Sequence, residues 1–391
     1  MQVTDFSEDF PGTLIPTERN ALAFVPAPAP AAIELEPATI ALLARAERAL
    51  GHLTGTLRAA GKQVNPHLVS APLLRREAIS SSKIEGTNTT PEQLVLLELE
   101  TPSTEPSNNI SETQEVLNYI TALNHGFARL REIPVCLRLL QELHEILMRG
   151  VRGDAERPGE FRTVQNFIGS SQDIRQARFV PPPVVEMRRC LQELEVYMNE
   201  PGEALPHLVR VALVHYQFET IHPFRDGNGR VGRLIVPLLL CSYERLEGPT
   251  LYLSPYFERH RTQYTDLLLR VSHTGDFGSW IRFFLEAVDA SALESIKRAE
   301  SLLQLREGYR QRLQRIRASA ALLALVDGLF ERPSVSLAHA ATLLGGVTPA
   351  AASANVRKLV EAGILHEVTG RKRDQRFVAA EIIRVAHSDE P

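Results

Sequence analysis

The sequence predicts a mainly helical protein that carries a β-hairpin on its helical body and ends in a winged helix-turn-helix. Three observations predict this fold class. Apolar residues recur at helical spacing over most of residues 37–317. A polar stretch with several glycines and prolines, Gly153–Pro183, interrupts this pattern and predicts the hairpin. Three short helical segments followed by two strand-like segments end the chain, in the element order of a winged helix-turn-helix.

The N-terminal part is expected to be irregular over residues 1–32, with the Pro/Ala-rich stretch 24–32 as an extended tether. A helix is predicted to start near Pro37, and a second to run over Ala71–Glu85 and stop at Gly86. A polar break follows at Ser107–Asn109. The further helices predicted by apolar spacing are Thr113–Leu130, Pro134–Gly150, Val184–Tyr197, Pro206–Glu219, Asn228–Arg245 and Pro255–Val271.

The hairpin is predicted from two apolar segments, Phe161–Ile168 and Ala177–Val180, on either side of the polar turn Gly169–Gln172. Phe277–Arg317 is expected to be a helical linker. The tail should then hold three helices and, after Gly363, two strands around a basic turn. Those helices are Ala318–Phe330, Ser336–Leu344 and Pro349–Ala362. We expect three parts: a helical N-terminal region (1–110), a central helical domain (111–300) and the winged-helix domain (315–391).

Composition places the chain among ordinary globular proteins. With 391 residues, it is long enough for two or three domains of roughly 100–200 residues each. The hydrophobic fraction of 44% and charged fraction of 23% exclude a fibrous or wholly disordered chain. The net charge of −4 is too small to indicate a dedicated nucleic-acid binder.

Cysteine usage and hydropathy predict the compartment. Cys136, Cys190 and Cys241 lie far apart without a CxxC pair, which argues against a disulfide scaffold or a zinc–cysteine site. The longest dense apolar run, 234–241, is far shorter than the ~18–20 residues of a membrane-spanning helix. The N-terminus lacks the pattern of a secretory signal. We therefore expect a soluble cytoplasmic protein without a membrane segment.

The most informative segment is HPFRDGNGRVGR, which spans His222–Arg233. Gly227 and Gly229 free the backbone, so that successive N–H groups can turn inward and form an anion nest. A helix that begins near Asn228 would point its positive end at the same place. The segment therefore predicts an anion site at a helix N-terminus.

The side chains of this segment indicate which anion. Arg230 and Arg233 are three residues apart on the helix, so both can face one ligand that carries several phosphates. Asp226 precedes them, where a carboxylate among phosphates usually holds Mg²⁺. His222 can act as a base near neutral pH, and Phe224 is expected to anchor the loop in the core. These parts suit a nucleoside polyphosphate with a metal ion and the activation of a hydroxyl nucleophile.

Two other interpretations of the segment stay open at this point. GNGRVG also fits the loose GxGxxG pattern of dinucleotide-binding folds, and Glu247 lies 20 residues after Gly227. That interpretation needs a strand directly before the glycines, whereas HPFRD precedes them and the neighbours are helical. The other alternative is a polar helix cap with solvent-facing arginines. From residue patterns alone we assign no histidine outside the segment a ligand role, and HEILM at 144–148 lacks the second histidine of HExxH.

HPFRDGNGRVGR fits the pattern HPFx[D/E]GNGRxxR and so resembles the signature of the Fic family, enzymes that transfer part of a nucleotide to protein hydroxyl groups. Residues 10–97 also look like the N-terminal region of one bacterial branch. The resemblance implies a protein adenylyltransferase that moves AMP from ATP to Ser, Thr or Tyr, with His222 as general base and Asp226 on Mg²⁺. The nucleotide-binding residues that it implies are Gly227, Asn228, Gly229, Arg230, Val231, Gly232, Arg233 and, in the segment 251–264, His260.

The resemblance also implies two further features. The hairpin Gly159–Pro183 resembles the flap of the family, which aligns a target segment by strand addition. SSKIEG, Ser81–Gly86, fits the pattern [S/T]xxxE[G/N], in which the glutamate pairs with the second arginine of the signature. Ser81 and Glu85 would therefore inhibit the enzyme by pairing with Arg233. The alternative is a surface glutamate near a helix end, where the helix dipole disfavours a negative charge.

The partners that we expect are a target protein of unknown identity, the chain itself through self-modification, and a second copy in a homodimer. The tail 318–391 has balanced charge, although GRKRDQR at 370–376 and Arg357–Lys358 are basic, so DNA contact is weakly indicated. Two rival functions stay open. One is removal of AMP, or transfer of another nucleotide-derived group, at the same site. The other is a DNA-binding regulator whose core senses a nucleotide.

Overall fold

The computed structural model describes residues 1–61, 65, 67–99, 112–151, 157–200, 205–243, 248, 250–371 and 373–388. Several predicted features lie outside these residues: the break Ser107–Asn109, the domain boundary at 110–111, Gly153, Arg245, Glu247 and Lys372. No helix among the described residues is long and apolar enough to cross a membrane.

The fold is mainly helical with small antiparallel sheets, as the sequence predicts. The helices of the body are α1 (Pro37–Gly61), α2 (His67–Ile84), α3 (Pro91–Leu97), α4 (Glu112–Arg129), α5 (Leu137–Met148), α6 (Val184–Asn199), α7 (His207–Ile221), α8 (Asn228–Ser242), α9 (Ser254–Arg259), α10 (Arg261–Thr274) and α11 (Phe277–Arg315). The single helix expected over Pro255–Val271 is two helices, because the backbone leaves the helical conformation at His260.

The main hydrophobic core of the body is formed by residues of helices from α1 to α11. α7 and α8 lie at its centre, since their apolar residues are buried around almost the whole circumference of each helix. Trp280 of α11 is fully buried and donates from Nε1 to the carbonyl of Ala212 in α7, at 2.8 Å. Neighbouring helices thus hold α7 and α8 on several sides. The loop that joins α7 to α8 therefore has both of its ends fixed.

The N-terminal segment corrects the expectation of an irregular tether. Strands β1 (Gly12–Pro16) and β2 (Leu22–Pro26) form an antiparallel hairpin. The turn between them uses Arg19 and Asn20 with positive φ. Phe24 of β2 is fully buried, so burial of this strand stabilises the hairpin despite its proline-rich flank.

The two strands expected at Phe161–Ile168 and Ala177–Val180 are not formed as strands. The segment closes with one antiparallel bridge, in which Ile168 and Phe179 exchange backbone hydrogen bonds of 2.8 and 3.1 Å. Gly169 follows the bridge with a φ of 156°, and three prolines without N–H groups follow Val180. The loop over residues 157–183 is called the flap below.

The tail has the predicted element order with two additions. α12 (Ala320–Glu331), α13 (Leu337–Leu343) and α14 (Pro349–Glu361) precede β4 (His366–Glu367) and β5 (Arg376–Val378). A short strand, β3 (Ser334–Ser336), adds to β5, so the sheet order is β3-β5-β4, and α15 (Ala380–His387) follows. A second hydrophobic cluster holds this unit against the far half of α11. Its assignment as a winged helix-turn-helix stays a prediction.

Candidate active site

The loop His222–Gly227 joins α7 to α8 and is fixed by its own side chains. His222 ends α7 in the left-handed conformation, with φ 50° and ψ 61°, and Gly227 precedes α8 with φ 78°. Asn228 closes the loop, since its Oδ1 accepts from the N–H of Phe224 and its Nδ2 donates to the same residue's carbonyl, both at 2.8 Å. Phe224 is fully buried, as predicted. Because the Asn228 amide is used by the loop, an anion here would meet backbone N–H groups.

The hydrogen bond of His222 defines its tautomer. Nδ1 lies 3.2 Å from the backbone carbonyl of Glu219, which can only accept, so Nδ1 carries the proton and Nε2 keeps its lone pair. Burial lowers the pKa of His222 to about 4, and its contact with Glu219 offsets this only in part. The imidazole is therefore neutral near pH 7, and it lines a cavity of about 280 Å³.

Arg162 ties the flap to this loop, and the sequence analysis missed it. Its buried guanidinium donates from Nε to the carbonyl of His222 at 3.0 Å and from Nη1 to that of Val164 at 3.3 Å. Its own N–H donates to the carbonyl of Pro223 at 2.9 Å. Burial lowers its pKa to about 10, which still leaves it charged at neutral pH. The sequence signal that could have identified Arg162 is its position as the single arginine of the apolar segment Phe161–Ile168.

His144 of α5 is a second positioning residue that the sequence analysis left without a role. Its Nε2 lies 3.0 Å from the carbonyl of Asp226, and its Nδ1 accepts from the N–H of Gly159 at 2.9 Å. Its ring stacks on Phe224, with centroids 3.8 Å apart. Burial lowers its pKa to about 4, so both hydrogen bonds are those of a neutral ring. His144 thereby holds the loop and the start of the flap together.

The two arginines of α8 are both buried and both paired with carboxylates. Arg230 donates to Glu115 Oε2 at 3.0 Å and lies 3.7 Å from Asp226 Oδ1. Arg233 donates from Nη2 to Glu85 Oε1 at 2.7 Å. It also donates to the hydroxyl and the carbonyl of Ser81, each at 2.9 Å. The structure thus brings Ser81, Glu85 and Arg233 together, although Glu85 is separated from Arg233 by 148 residues.

Glu85 lies one residue beyond the C-terminal end of α2 and reaches the N-terminal turn of α8. A methyl group added at Gly229 would stand only 2.2 Å from Glu85 Oε1. Burial raises the pKa of Glu85, but the charge and hydrogen bond of Arg233 outweigh it, so the pKa falls below its usual value. A carboxylate therefore occupies the positive end of α8, where an anion is stabilised.

Glu219 is a second acidic residue that lines the cavity. Its side chain is 12% exposed, and its Oε1 has no hydrogen bond among the described residues. Burial raises its pKa to about 7, with Arg233 lowering it and Glu85 raising it further. The glycine at position 232 makes room for this carboxylate, since a Cβ there would meet Oε1 at 2.2 Å.

A buried chain of hydrogen bonds supports the first turns of α8 from behind. His215 Nδ1 donates to the carbonyl of Gly232 at 3.0 Å, and its Nε2 pairs with the hydroxyl of Tyr264 at 2.8 Å. Burial lowers the pKa of His215 to about 3, so the ring is neutral and Tyr264 donates to it. Tyr264 of α10 also lines the cavity.

The remaining predicted site residues lie in different environments. Asp226 is 41% exposed at the start of α8, and its Oδ1 accepts from the N–H of Gly227 at 2.6 Å. Val231 is fully buried in the core, so its side chain is turned away from the cavity. His260 is exposed and packs on Tyr256, with ring centroids 4.4 Å apart. The structure does not bring His260 to the described cavity, whose α10 wall includes Arg261 and Thr265 instead.

The fold is helical, and its candidate site combines a buried helix N-terminus, a neutral histidine before that helix and a carboxylate that accepts from the second arginine of the helix. Residues 40–128 match the Fic/DOC family N-terminal domain, and residues 134–240 match the Fic/DOC family. The two matches together cover about half of the chain. The chain belongs to the Fic/DOC family.

Known proteins similar to this chain carry the same family name. The chain is 30% identical over 194 residues to "Protein adenylyltransferase Fic" of Culex quinquefasciatus, which covers 49% of this chain and 35% of that protein. The protein of the same name from Drosophila grimshawi is 30% identical over 193 residues, 49% of this chain and 36% of its own. The chain thus spans about a third of the length of these relatives.

A solved structure supports the fold over most of the chain. The crystal structure of a Fic family protein from Desulfovibrio desulfuricans superposes with a TM-score of 0.55 at 22% identity, over 89% of this chain and 97% of that one. At this identity the likeness shows the fold alone. The mainly helical Fic fold is thereby confirmed.

Proposed function

We propose that this chain is a protein adenylyltransferase that transfers AMP from ATP to a Ser, Thr or Tyr hydroxyl, and that Glu85 holds it in an inhibited state. The observation that carries the proposal is the arrangement around one cavity. The neutral imidazole of His222, the N-terminal turn of α8 and the guanidinium of Arg233 all border it. A base, an anion nest and a buried cation are the groups that nucleotidyl transfer needs.

In this proposal His222 Nε2 takes the proton of the target hydroxyl. The hydroxyl oxygen then forms a bond to the α-phosphorus of ATP, the bond from that phosphorus to the bridging oxygen breaks, and pyrophosphate leaves. Arg162 and His144 keep the loop rigid, so that little reorganisation accompanies the reaction. The backbone N–H groups of Gly227 to Gly229 and the two arginines of α8 would hold the phosphates.

Asp226 is the residue that would hold the Mg²⁺ of the nucleotide. Its carboxylate is partly exposed at the phosphate-binding turn, and one oxygen is fixed by the N–H of Gly227. One carboxylate together with substrate phosphates is the usual way in which proteins bind this ion. When bound, the ion would neutralise charge that develops on the leaving pyrophosphate.

Inhibition follows from competition for Arg233. Its guanidinium already donates to Glu85 and Ser81, so a terminal phosphate would have to displace a charge-assisted hydrogen bond of 2.7 Å. The Glu85 carboxylate also lies against Gly229, where phosphate oxygens would approach the helix end. We infer that ATP binds without productive alignment until Glu85 moves.

The test uses the purified chain with Mg²⁺ and ATP labelled at either the α- or the γ-phosphate, with a cell lysate as the source of targets. We expect protein-bound α-label to increase roughly tenfold or more in Glu85→Gly, which removes the acceptor of Arg233, and in Glu85→Gln, which removes the negative charge that strengthens this hydrogen bond. The His222→Ala change in the Glu85→Gly background should lower transfer by about 10²–10⁴-fold. ATP affinity should be retained in that double variant.

Lys83→Gly is the matched control, because Lys83 lies two residues before Glu85, in the last turn of α2, but pairs with Glu258 instead. It should leave labelling unchanged. Protein-bound γ-label would contradict adenylyl transfer and indicate a kinase-like reaction. Equal α-labelling of wild type and both Glu85 variants would contradict the inhibitory role and leave the transfer reaction standing.

A further inference from the structure

The three residues that follow Glu85, called the segment 86–88 below, lead the chain away from α2. Gly86 has a φ of 91°, in the left-handed region that favours glycine at the end of a helix. The N–H of Thr87 donates to the carbonyl of Ser82 at 3.1 Å, and Thr87 is only 3% exposed. The direction of the chain is therefore fixed within two residues of Glu85.

Two carboxylates in the first turn of α4 hold this segment. Glu115 Oε2 accepts from the hydroxyl of Thr87 at 2.9 Å, and both residues are buried. Glu112 Oε2 accepts from the N–H of Asn88 at 2.7 Å. The two glutamates are three residues apart on α4, so both can face the same segment. The dipole of α4 favours negative charge in this turn, which suits carboxylates as acceptors.

The same oxygen of Glu115 also binds α8. Arg230 Nη1 donates to Glu115 Oε2 at 3.0 Å, and the two side chains are 1% and 5% exposed. A buried charge is costly to leave without its partner, so this ion pair fixes the position of the Glu115 carboxylate. Thr87 is thus hydrogen-bonded to an acceptor that does not readily follow it if the segment 86–88 moves.

Glu85 depends on such support because its own position is not favourable. It follows the C-terminal end of α2, where the helix dipole disfavours a negative charge. Its side chain is 35% exposed, so water competes with Arg233 for the carboxylate. A hydrogen bond that holds the next residues of the chain therefore favours the position in which Glu85 contacts Arg233.

We propose that Thr87 and Glu115 are positioning residues of the inhibited state, whose hydrogen bond keeps the Glu85 carboxylate on Arg233. This inference rests on the proposed function, because it adds the contact that sets how strongly Glu85 inhibits. Without the hydrogen bond, the segment 86–88 can move away from α4 and carry Glu85 with it. Arg233 then becomes free to bind a phosphate.

The test compares Thr87→Val, Thr87→Ser and Thr89→Val in the full chain, by protein-bound label from α-labelled ATP with Mg²⁺ and a cell lysate. Thr87→Val removes the hydroxyl and should raise labelling roughly fivefold or more, because a hydrogen bond to a charged acceptor is lost. Thr87→Ser keeps the hydroxyl and should label like wild type. Thr89→Val is the matched control and should change nothing, since the Thr89 hydroxyl has no hydrogen-bond partner among the described residues.

The Glu85→Gly background separates an inhibitory contact from a merely structural one. Thr87→Val should add nothing there, because the carboxylate that the contact restrains is absent. A loss of stability would instead lower labelling in both backgrounds and would overturn the proposal. No labelling by Glu85→Gly would contradict the transfer reaction itself. Labelling by Glu85→Gly, with Thr87→Val equal to wild type, would overturn only the role of Thr87 and Glu115.

Hydrogen exchange of residues 81–90 gives a second readout that needs no activity. Without nucleotide, exchange should accelerate several-fold in Thr87→Val, because the segment 86–88 opens more often. It should match wild type in Thr87→Ser and Thr89→Val. Unchanged exchange in Thr87→Val, or equal acceleration in Thr89→Val, would show that the Thr87 hydroxyl does not hold this segment and would overturn the proposal whatever the labelling.

Discussion

At the scale of single residues, the proposed reaction depends on a histidine that cannot easily be protonated. His222 is held by its contact with the Glu219 carbonyl, and burial lowers its pKa to about 4. An ordinary histidine would lose its base form below a pH of about 6.5. Because the folded-state pKa is lower, the base form should persist until the pH falls toward 4.

We therefore expect kcat/KM for adenylyl transfer by Glu85→Gln to show no loss from His222 protonation between neutral pH and about pH 5. Glu219 titrates nearby, with a pKa of about 7, so the profile should also be measured with Glu219→Gln added. A protonation step near pH 6.5 that remains in the doubly substituted protein would contradict the effect of burial on His222.

Glu219 should make stability depend on pH. Its folded-state pKa of about 7 lies above its unfolded value, so the folded protein binds the proton more tightly. The contribution of Glu219 to the free energy of unfolding is fully present below its pKa in the unfolded chain. It is lost as the pH rises through its pKa in the folded protein. For a pKa shift of this size, the loss in free energy of unfolding is about 3 kcal/mol at high pH. Glu219→Gln should therefore stabilise the protein increasingly from pH 5 to pH 8.

Urea unfolding at several pH values measures this difference. Glu300→Gln, at an exposed position on α11, is the control for loss of one carboxylate, and it should give a difference that hardly varies with pH. If Glu219→Gln and wild type keep the same stability difference across this range, Glu219 is ionised throughout and the assignment is wrong.

At the scale of elements, the N-terminal hairpin supports the flap. The N–H of Phe24 in β2 donates to the carbonyl of Val180 at 2.9 Å. Its ring contacts those of Phe6, Phe10 and Phe179, with centroids 5.8–6.2 Å apart. The flap, which has only one bridge of its own among the described residues, is therefore held by a hairpin near the N-terminus, more than 130 residues earlier in the sequence.

Phe24→Ala should lower the free energy of unfolding by about 3–5 kcal/mol, since it removes a fully buried ring. It should also increase proteolytic cleavage within the flap, residues 157–183, relative to the rest of the chain. Val3→Ala, at a position that is 65% exposed, should change neither measurement. Flap cleavage equal to wild type would show that the hairpin does not restrain it.

The elements also show which sequence patterns are reliable. The long amphipathic helices were predicted correctly to within a few residues, because their apolar spacing is set by the helix itself. The prediction of two strands in the flap was wrong, because an apolar run does not show whether a neighbouring strand is available for pairing. The hairpin β1–β2 was missed for the converse reason, since its buried face is supplied by α7 and the flap.

At the scale of the whole molecule, α11 connects the body to the tail. Its first half packs in the main core and its second half in the tail cluster. Arg298 is fully buried in α11 and donates to the carbonyls of Val385 and Ala386 at 2.9 and 3.1 Å. It also donates to Glu294 at 2.7 Å. Arg298 thus satisfies carbonyl groups at the C-terminal end of α15.

Arg298→Met should cost about 2–3 kcal/mol, because it leaves buried carbonyl groups without a donor while Glu294 keeps its pairs with Arg76 and Arg259. Hydrogen exchange of the α15 amides should accelerate more than exchange of α7. Arg315→Met, at an exposed position near the end of α11, is the control and should leave α15 unchanged. Equal protection of α15 in both variants would contradict the capping role.

The sequence by itself determined the helical fold and the loop His222–Arg233. Local spacing and glycine placement are properties of short segments, and they carry over to any tertiary context. The family resemblance implied the pairing of Arg233 with Glu85, but only the tertiary structure placed the two side chains in contact and revealed the support from Arg162 and His144. Each of these joins groups that are distant in the sequence, and packing of the helices sets the burial that fixes their pKa values and partners.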